Sequence, residues 1–385
     1  MCGITGFFSL GGDINTTGYY AAHALIKHRG PDDEGFVGSQ GERLAEFRGD
    51  DTISHYHTLP HIRTLTHSRL VFGHRRLSII DLTYHGHQPF FDPDRNFWIV
   101  YNGEIFNYIE LRGELEAQGV TFHTQTDTEV VLQAFILWGT AAFNKFNGMW
   151  AAAIYDDRQA KLVLTRDRFG IKPLFYSVQS GVLSFGSEMK FLLAFVGRPF
   201  AVNESSSRDY LDRNLLNHSG ATFWSNISEL EPGHYLEFSS SGTYIHQYWT
   251  YQPTTAVLST SDAAEKFAYL FEDSLKLRMR SDVEVGTLLS GGLDSTTIVC
   301  SLNKLGYIGN NNFKTFSAVF ADERFTEKPF IDMTTATVPV QPYFVTPRPE
   351  DIENDLDTLL HHIEEPFRSL SVYSQYLIYQ MIKRD

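Results

Sequence analysis

The pattern of apolar residues changes about two thirds of the way along the chain, and this change limits the fold more than any other feature. Before residue 253, short strand-like runs are separated by turn signals and interrupted by two or three helical stretches, which predicts an α+β domain. After residue 262, strand-like and helical runs alternate, as is typical of a parallel sheet covered by helices. The sequence therefore predicts two domains of different class, joined by the Ser/Thr-rich stretch 253–262.

Several local predictions follow for the first part of the chain. The run "NFWIVYNGEIFNY" reads as a strand interrupted by a sharp turn at Asn102 and Gly103. The run "DTEVVLQAFILWG" reads as a helix with Asp127 or Thr128 as its N-cap. Residues 149–188 read as short strands with a turn at each break, which predicts one antiparallel meander.

The second part predicts a buried helix face and a buried thiol. A helix over residues 262–278 places four apolar side chains three and four positions apart on one face: Phe267, Leu270, Phe271 and Leu275. A second helix, "TTIVCSLNKLG", carries Cys300 on its apolar side, so that this cysteine is predicted to be a small core residue.

The composition narrows the functional class. A formal net charge of -14 argues against general nucleic-acid binding, which needs a basic face. The two cysteines, Cys2 and Cys300, cannot form a disulfide framework, and this indicates a reducing compartment. The sequence contains no secretory signal and no run of 18 apolar residues. We therefore expect a soluble cytoplasmic protein without a membrane partner.

A glycine loop in the second part has the character of an anion site. The stretch "LLSGGLDST" follows a predicted strand and opens a predicted helix. Backbone N–H groups at a helix start attract anions, and glycines allow a phosphate to approach the backbone closely. No lysine follows the glycines, and the spacing matches neither a Walker loop nor the dinucleotide fingerprint.

Cys2 is the second candidate for chemistry. A thiol is a weak nucleophile until it loses its proton, and an α-amino group titrating near pH 8 could accept that proton if Cys2 became the first residue. A developing oxyanion needs fixed donors, which the Asn102 amide and the Gly103 N–H could supply. An amino-acid substrate would further need a cation and an anion to hold its two charged groups.

The motifs "MCGI", "HRGPDDEG", "RRLSIID", "YNGEIFN", "TDTEV" and "RDRFGIKPLFY" resemble, in this order, the class II glutamine amidotransferases. The resemblance implies an N-terminal-nucleophile fold, with two antiparallel sheets between helices (αββα). It also implies Cys2 as nucleophile with its own amine as base, and Asn102 and Gly103 as the oxyanion hole. The glutamine-binding residues that it implies are Arg76, Leu77, Ser78, Ile79, Ile80, Asn102, Gly103, Glu104 and Asp127. Arg75 is a neighbouring alternative to Arg76, although the spacing to "LSI" favours Arg76.

The loop "SGGLDS" resembles the pyrophosphate loop of the ATP pyrophosphatases. The resemblance implies a partial α/β domain with a parallel sheet, and ATP and Mg²⁺ as cofactors. The ATP-binding residues that it implies are Leu289, Ser290, Gly291, Gly292, Asp294, Ser295 and Val319. Asp294 would also help to place the magnesium ion.

Together the two halves resemble the family of glutamine-hydrolysing asparagine synthetases. The implied reaction releases ammonia from glutamine and transfers it to adenylylated aspartate, with ATP converted to AMP and pyrophosphate. The implied partners are glutamine, aspartate and ATP, and a homodimer is left open. The predicted domains are a glutaminase over 2–209, a connecting segment over 210–260 and the first part of the synthetase over 261–385. Because the family's synthetase domain continues further, we expect a fragment that hydrolyses glutamine without making asparagine.

Two other functional hypotheses stay open at this stage. The same architecture could amidate a different carboxylate, such as a sugar acid or a peptide, or serve as a glutamine- or nucleotide-sensing module without catalysis. A further open feature is a group of histidines between Cys2 and Arg76, namely His55, His57, His61, His67 and His74. Because "HYHTLPH" has no acidic or thiol partners, a lid or surface loop is favoured over a metal site.

Overall fold

The computed structural model describes residues 1–92, 94–197, 200–253, 257–309 and 312–384. The chain separates into two compact units, Met1–Pro253 and Thr254–Asp385. Residues 254–256 of the predicted linker lie outside the described residues. The three-part division at residues 209 and 260 stays a prediction; within 210–260, three strands pair with strands of the first unit.

The first unit is rich in strands, in agreement with its many aromatic and β-branched residues. Its elements in chain order are β1 (Gly3–Ser9), β2 (Ile14–Asn15), α1 (Tyr19–Ala24), β3 (Asp33–Gln40), β4 (Arg43–Phe47), β5 (His67–Ser68), β6 (Leu70–Arg76), β7 (Phe90–Asp92), β8 (Phe97–Ile105), α2 (Tyr108–Glu116), α3 (Asp127–Trp138), α4 (Ala142–Lys145), β9 (Gly148–Asp156), β10 (Lys161–Arg166), β11 (Phe175–Gln179), β12 (Val182–Gly186), α5 (Met189–Phe195), α6 (Glu204–Arg213), β13 (Ser228–Glu229), β14 (His234–Ser239) and β15 (Gly242–Gln247). Most of these strands form two sheets. One has seven strands in the order β13-β11-β12-β1-β6-β3-β4, and the other has six in the order β15-β14-β10-β9-β8-β7.

The two sheets pack face to face, and helices cover their outer sides. Phe8 of β1 lies between the sheets against Tyr155 of β9, with ring centroids 5.1 Å apart. Its neighbour Phe7 points to the opposite face and packs against Tyr19 of α1 and Phe195 of α5, because side chains alternate along a strand. Helices α2, α3 and α4 cover the six-stranded sheet. The predicted αββα arrangement with two antiparallel sheets is confirmed.

The turn predicted at Asn102 and Gly103 is wrong. Both residues lie inside β8, where they pair antiparallel with Ala151 and Trp150 of β9. An Asn-Gly pair favours a turn only when no ladder competes for it, and here β8 has a neighbouring strand on each side.

The single meander predicted for residues 149–188 is also wrong. The hairpin β9–β10 belongs to the six-stranded sheet, whereas the hairpin β11–β12 belongs to the seven-stranded sheet. Between them the buried Asp167 carboxylate accepts hydrogen bonds from the backbone N–H groups of Ile171 and Lys172, both at 3.0 Å. This turn redirects the chain from one sheet to the other, which local strand patterns do not reveal.

The second unit is a small parallel sheet with helices. Its elements are α7 (Thr260–Arg278), β16 (Thr287–Leu288), α8 (Leu293–Lys304), β17 (Phe313–Ala318), α9 (Lys328–Thr337), β18 (Val340–Val345), α10 (Ile352–Ile363) and α11 (Ser371–Arg384). The strands pair in the order β16-β17-β18, all parallel. One apolar cluster joins the sheet to α7, α8 and α9, and a second joins it to α11. The predicted α/β parallel-sheet class is confirmed.

Two burial predictions in this unit are wrong. On α7, Leu275 is buried and Phe271 is partly buried, but Phe267 and Leu270 are exposed, because only the C-terminal half of this helix joins the described apolar cluster of its unit. On α8 the buried residues include Val299, and Cys300, one position further, is turned to the exposed side. Among the helices described, none has the length and apolar composition needed to cross a bilayer.

We predict that shortening a side chain between the two sheets destabilises the first unit. Leu164 is fully buried in this core, and Leu164→Ala should lower the free energy of unfolding by about 2–5 kcal/mol because it leaves a cavity. Urea unfolding followed by tryptophan fluorescence measures the stability of this unit, since all five tryptophans precede residue 253. The exposed Leu211 provides the control, Leu211→Ala, which should change stability by less than about 0.5 kcal/mol. Equal unfolding midpoints for the two variants would contradict the described core.

Candidate active site

Cys2 lies directly before β1, and sheet pairing determines its surroundings. β1 runs antiparallel to β6 in a register that sets Gly3 opposite Arg75, so Cys2 lies beside the point where β6 ends. The backbone N–H of Leu77 donates to Cys2 Sγ at 3.3 Å. On the other side, Arg29 Nε donates to the Cys2 carbonyl at 2.9 Å. The thiol and the backbone of this terminal residue are therefore both held in place.

Burial, reinforced by two nearby cations, favours the neutral form of the terminal amine. Burial raises the pKa of the Cys2 thiol, while the N–H of Leu77 and the charge of Lys172 act in the opposite direction. Burial lowers the pKa of the terminal amine to about 6; the Cys2 thiolate opposes this shift, and Arg29 and Lys172 reinforce it. In the structure this amine belongs to Met1, and removal of Met1 would transfer it to Cys2. An amine with a lowered pKa is a proton acceptor at neutral pH.

A pocket of about 300 Å³ opens beside Cys2. Its polar and charged lining residues are Cys2, Arg76, Gln88, Asn102, Glu104, Thr126, Asp127, Thr128 and Lys172. Apolar side chains of Leu77, Ile79 and Ile80 complete one wall. The pocket thus combines a thiol, two amides, two cations and two carboxylates, which suits a small zwitterionic ligand.

The structure distinguishes the roles of the neighbouring arginines. Arg76 lines the pocket, and its guanidinium donates to the carbonyl oxygens of Thr83, at 2.8 Å, and of Asp81. Arg75 is buried on the other side of the sheet, where it forms ion pairs of 2.7 Å with both Glu34 and Asp51. Of these two arginines, Arg76 is therefore the one that lines the pocket.

Asn102 supplies an unpaired donor at the base of the pocket. Asn102 is 1% exposed, and its Nδ2 has no hydrogen-bond partner among the residues that the structure describes. A buried amide donor normally has a partner, and an exception calls for an explanation such as a catalytic role or a bound water. Gly103 must be glycine because a Cβ there would overlap the Met149 carbonyl of β9. Both predicted oxyanion donors thus lie at the pocket, on a strand rather than in a turn.

Two carboxylates, Glu104 and Asp127, also line the pocket. Asp127 Oδ2 accepts hydrogen bonds from the Tyr101 hydroxyl at 2.9 Å and from the Ile105 N–H at 3.1 Å. Burial raises the pKa of Asp127 against these bonds, and burial also raises the pKa of Glu104. The predicted N-cap was wrong by one residue, since Thr126 caps α3 and Asp127 lies in its first turn.

The four residues after Arg76 do not all face the pocket in the same way. Leu77, Ile79 and Ile80 line it, while the Ser78 N–H donates to Asp32 Oδ2 at 2.8 Å. This hydrogen bond attaches Ser78 to the residue that precedes β3, while Leu77, Ile79 and Ile80 form part of the pocket wall.

Comparison with known proteins gives the family. Residues 60–249 match a glutamine amidotransferase domain, and residues 266–385 match an asparagine synthase domain. The chain is 30% identical over 402 residues to a putative glutamine-hydrolysing asparagine synthetase of Methanocaldococcus jannaschii, a match that covers 100% of this chain and 72% of the relative. The chain belongs to the glutamine-hydrolysing asparagine synthetase family.

Two further comparisons are with proteins of Bacillus subtilis. Glutamine-hydrolysing asparagine synthetase 1 of Bacillus subtilis is 30% identical over 385 residues, which cover 100% of this chain. This chain spans only 56% of that relative's length. Among solved structures, glutamine phosphoribosylpyrophosphate amidotransferase from B. subtilis is 16% identical, with a TM-score of 0.49 over 92% of this chain and 70% of the other.

In this member of the family, the glycine loop joins β16 to α8 inside the asparagine synthase domain. Gly291 has φ +85°, a conformation that favours glycine, and a Cβ there would lie 2.9 Å from the Glu327 carbonyl. Gly292 is the N-cap residue of α8. The Ser290 N–H donates to Ser295 Oγ at 3.2 Å, which folds the loop over the helix start.

The remaining residues predicted for the ATP site lie near this loop and differ in how deeply they are buried. Asp294 is exposed in the first turn of α8, and Leu289 is fully buried beneath the loop. Val319 is partly buried in the apolar cluster of α7, α8 and α9, and its N–H donates to the Val345 carbonyl at 2.9 Å. The predicted residues thus share one edge of the sheet, at the ends of β16 and β17.

Sequence reasoning missed Lys172. Lys172 is 4% exposed and lines the pocket, and its ammonium has no hydrogen bond or ion pair within the described ranges. Burial lowers its pKa, while Glu104 and Cys2 oppose that shift. The sequence contained a clue, because Lys172 lies within the motif "RDRFGIKPLFY". Only the packing shows that Lys172 and Cys2 line the same pocket.

A buried charge network behind Cys2 was also missed. Glu188 accepts hydrogen bonds from His28 at 2.8 Å, Arg29 at 3.0 Å and Lys190 at 2.8 Å. Burial alone would raise the pKa of Glu188, but these partners outweigh it and lower the pKa to about 2. Because Arg29 also holds the Cys2 carbonyl, this carboxylate orients the terminus indirectly.

We predict that Glu188 stabilises the fold at neutral pH and loses this effect in acid. Its pKa is 4.5 unfolded and about 2 folded, so its ionised form contributes up to about 3 kcal/mol above pH 4.5, and this falls as the pH approaches 2. Glu188→Gln should therefore be less stable than the native chain at pH 7, and the difference should shrink below pH 4.5. Urea unfolding at several pH values from 7 to 3 measures this difference in stability. Glu42→Gln, at an exposed position, serves as the control. A difference independent of pH would contradict the ionic origin.

Proposed function

We propose that the first unit hydrolyses glutamine at Cys2. The observation that carries this proposal is the meeting of the Cys2 thiol and the unpaired Asn102 amide in a single pocket that also presents Arg76 and two carboxylates. A nucleophile, an oxyanion donor and clamps of both charges are the groups that acyl transfer from an amino acid requires. Membership of the family agrees with this assignment.

The charged groups of the pocket suit the α-carboxylate and the α-ammonium of the substrate. Arg76 would bind the α-carboxylate of glutamine, since its orientation is fixed by the carbonyls of Thr83 and Asp81. Glu104 and Asp127 would bind the α-ammonium. The α-ammonium of glutamine would favour the ionised form of both carboxylates and so offset the burial that raises their pKa values. The side-chain carboxamide would then reach towards Cys2.

The reaction would proceed in two acyl-transfer steps. The terminal amine accepts the thiol proton as Cys2 Sγ attacks the carboxamide carbon, and the oxyanion receives hydrogen bonds from Asn102 Nδ2 and the Gly103 N–H. Collapse of this intermediate breaks the carbon–nitrogen bond, and the amine returns its proton to the leaving ammonia. Water then attacks the glutamyl thioester, releasing glutamate and restoring the thiol. Lys172 would favour the thiolate and keep the amine neutral.

We propose further that the second unit contributes to amidation of aspartate. The loop residues would suit a phosphate group, because Gly291 and Gly292 carry no side chain at the start of a 12-residue helix, whose backbone N–H groups attract anions. ATP would activate the acceptor carboxylate by adenylylation. One exposed carboxylate, Asp294, fits Mg²⁺ only jointly with phosphate oxygens. Aspartate as acceptor, a homodimer and a cytoplasmic location stay predictions.

The acceptor is tested with the natural full-length protein. Incubation with glutamine, ATP and Mg²⁺ in the presence of aspartate should yield asparagine, AMP and pyrophosphate in equal amounts. Formation of AMP with a sugar acid or a peptide, but not with aspartate, would favour the alternative acceptor.

We predict that glutaminase activity depends on Cys2 and not on Cys300. Cys2→Ala should reduce glutamate release from glutamine by at least about 10³-fold, since no other thiol lines the pocket in the described part of the chain. Cys300→Ala, on the exposed side of α8, serves as the matched control and should retain the native rate. Mass spectrometry of the native chain should also show that Met1 has been removed. Activity retained by Cys2→Ala, or by chains that keep Met1, would overturn this assignment.

We predict that Asn102 acts on the transition state rather than on binding. Asn102→Ala should lower kcat by about 10²–10³-fold, the usual effect of removing an oxyanion donor, with little change in KM. Steady-state glutamate release measures both constants. Asn144→Ala alters an exposed asparagine and should match the native chain. An increase in KM at constant kcat would instead identify Asn102 as a binding residue.

A further inference from the structure

The His-rich segment, residues 49–63, is fixed to the sheet next to the active site. Asp51 forms ion pairs of 2.7 Å with both Arg75 and Lys27. Its N–H donates to Glu34 Oε1 at 2.7 Å, and the Thr52 hydroxyl donates to the Glu34 carbonyl at 2.7 Å. The base of the segment therefore depends on buried groups of β3 and β6 and is held rigidly.

The tip of this segment stacks on the segment that forms the pocket wall, residues 77–88. The ring of His55 lies on the ring of Tyr84, with centroids 4.0 Å apart and planes within 12°. The ring of Tyr56 lies on the ring of His87 at 4.1 Å and 25°. The Tyr56 hydroxyl also donates to the Tyr84 carbonyl at 3.5 Å. We call His55 and Tyr56 the aromatic clamp.

The clamp and the substrate site lie on opposite sides of segment 77–88. Thr83, whose carbonyl holds Arg76, is adjacent to Tyr84. Gly86, next to His87, packs so closely on the Arg76 guanidinium that a Cβ would overlap it. The outer side of the segment thus contacts the clamp, while its inner side orients the predicted carboxylate-binding cation.

Asp33 of β3 binds both the His-rich segment and segment 77–88. Its Oδ1 accepts from the Ile53 N–H at 3.0 Å, and its Oδ2 pairs with His87 Nδ1 at 2.6 Å. Asp33 belongs to β3 and is 2% exposed, so it offers a rigid support. The rings of the clamp add a second support further from the sheet.

We propose that His55 and Tyr56 are positioning residues for glutamine. They stack on the outer side of segment 77–88 and thereby keep its carbonyls oriented on Arg76. This inference rests on the proposed glutaminase function and assigns to the His-rich segment a role in substrate affinity. Neither residue contacts the pocket, so their effect should appear in binding and not in the chemical step.

The kinetic test compares clamp variants. His55→Ala/Tyr56→Ala should raise KM for glutamine by about tenfold, since stacking of two aromatic pairs is lost, with kcat changed by less than about twofold. His55→Phe/Tyr56→Phe keeps the rings and should retain the native KM. His67→Ala alters an exposed histidine outside the clamp and serves as control. A native KM in the double alanine variant, or a loss of kcat alone, would overturn the proposal.

A second readout does not depend on glutaminase activity. Leu77, Ile79 and Ile80 of segment 77–88 line the pocket beside the partly buried Cys2. Loosening of this segment should therefore give iodoacetamide better access and speed alkylation of Cys2 several-fold. Cys300 is exposed in the second unit and provides an internal reference in the same sample. Mass spectrometry gives the ratio of the two rates, which should rise in the double alanine variant and not in the double phenylalanine variant.

The two readouts separate the failure of the clamp from the failure of the proposed function. A native chain without glutaminase activity would refute the proposed function, and the alkylation ratio would still test the clamp. An unchanged ratio in the double alanine variant would refute the clamp in either case. If that variant unfolds, as shown by tryptophan fluorescence, the single variants His55→Ala and Tyr56→Ala must each show a smaller increase in the ratio. Native ratios in both would refute the proposal.

Discussion

The antiparallel pairing of β1 with β6 is the constraint on which the rest of the active site depends. A chain terminus ordinarily frays, and a nucleophile placed there would lose its geometry. Here β1 lies in the interior of a seven-stranded sheet, between β6 and β12. The register that sets Gly3 opposite Arg75 brings Cys2 to the end of β6. The hydrogen bonds from Leu77 and Arg29 then fix a residue that the sheet has already placed.

The alternation of side chains along β6 links two regions of the first unit. Arg75 and Arg76 are neighbours and point to opposite faces. Arg75 is neutralised by Glu34 and Asp51 and so anchors the base of the His-rich segment. Arg76 is held by carbonyls of segment 77–88 and faces the pocket. One strand end therefore supports both the predicted substrate cation and the segment whose aromatic rings stack behind it.

Much of the architecture was predictable because it is encoded locally. Strand and helix periodicity predicted an α+β unit followed by a parallel sheet, and the resemblance to class II glutamine amidotransferases added the αββα arrangement. The errors arose where neighbours distant in sequence overrode a local preference. Asn102 and Gly103 continue a strand because β9 pairs with them. The buried Asp167 carboxylate gathers backbone amides and sends the chain to the other sheet. Cys300 lies on an apolar helix, but the adjacent Val299 takes the buried position.

The sequence by itself determined the chemical groups: a thiol beside the initiator methionine, a glycine loop at a helix start, and the motifs that carry the family's residues. Only the tertiary structure decided how these groups are used. It left Asn102 Nδ2 without a hydrogen-bond partner among the described residues, placed Lys172 and Cys2 in one pocket and paired Glu188 with Arg29. Arg29 and Glu188 are 159 positions apart. Such contacts depend on strand register and sheet packing, which fix distances that no local pattern contains.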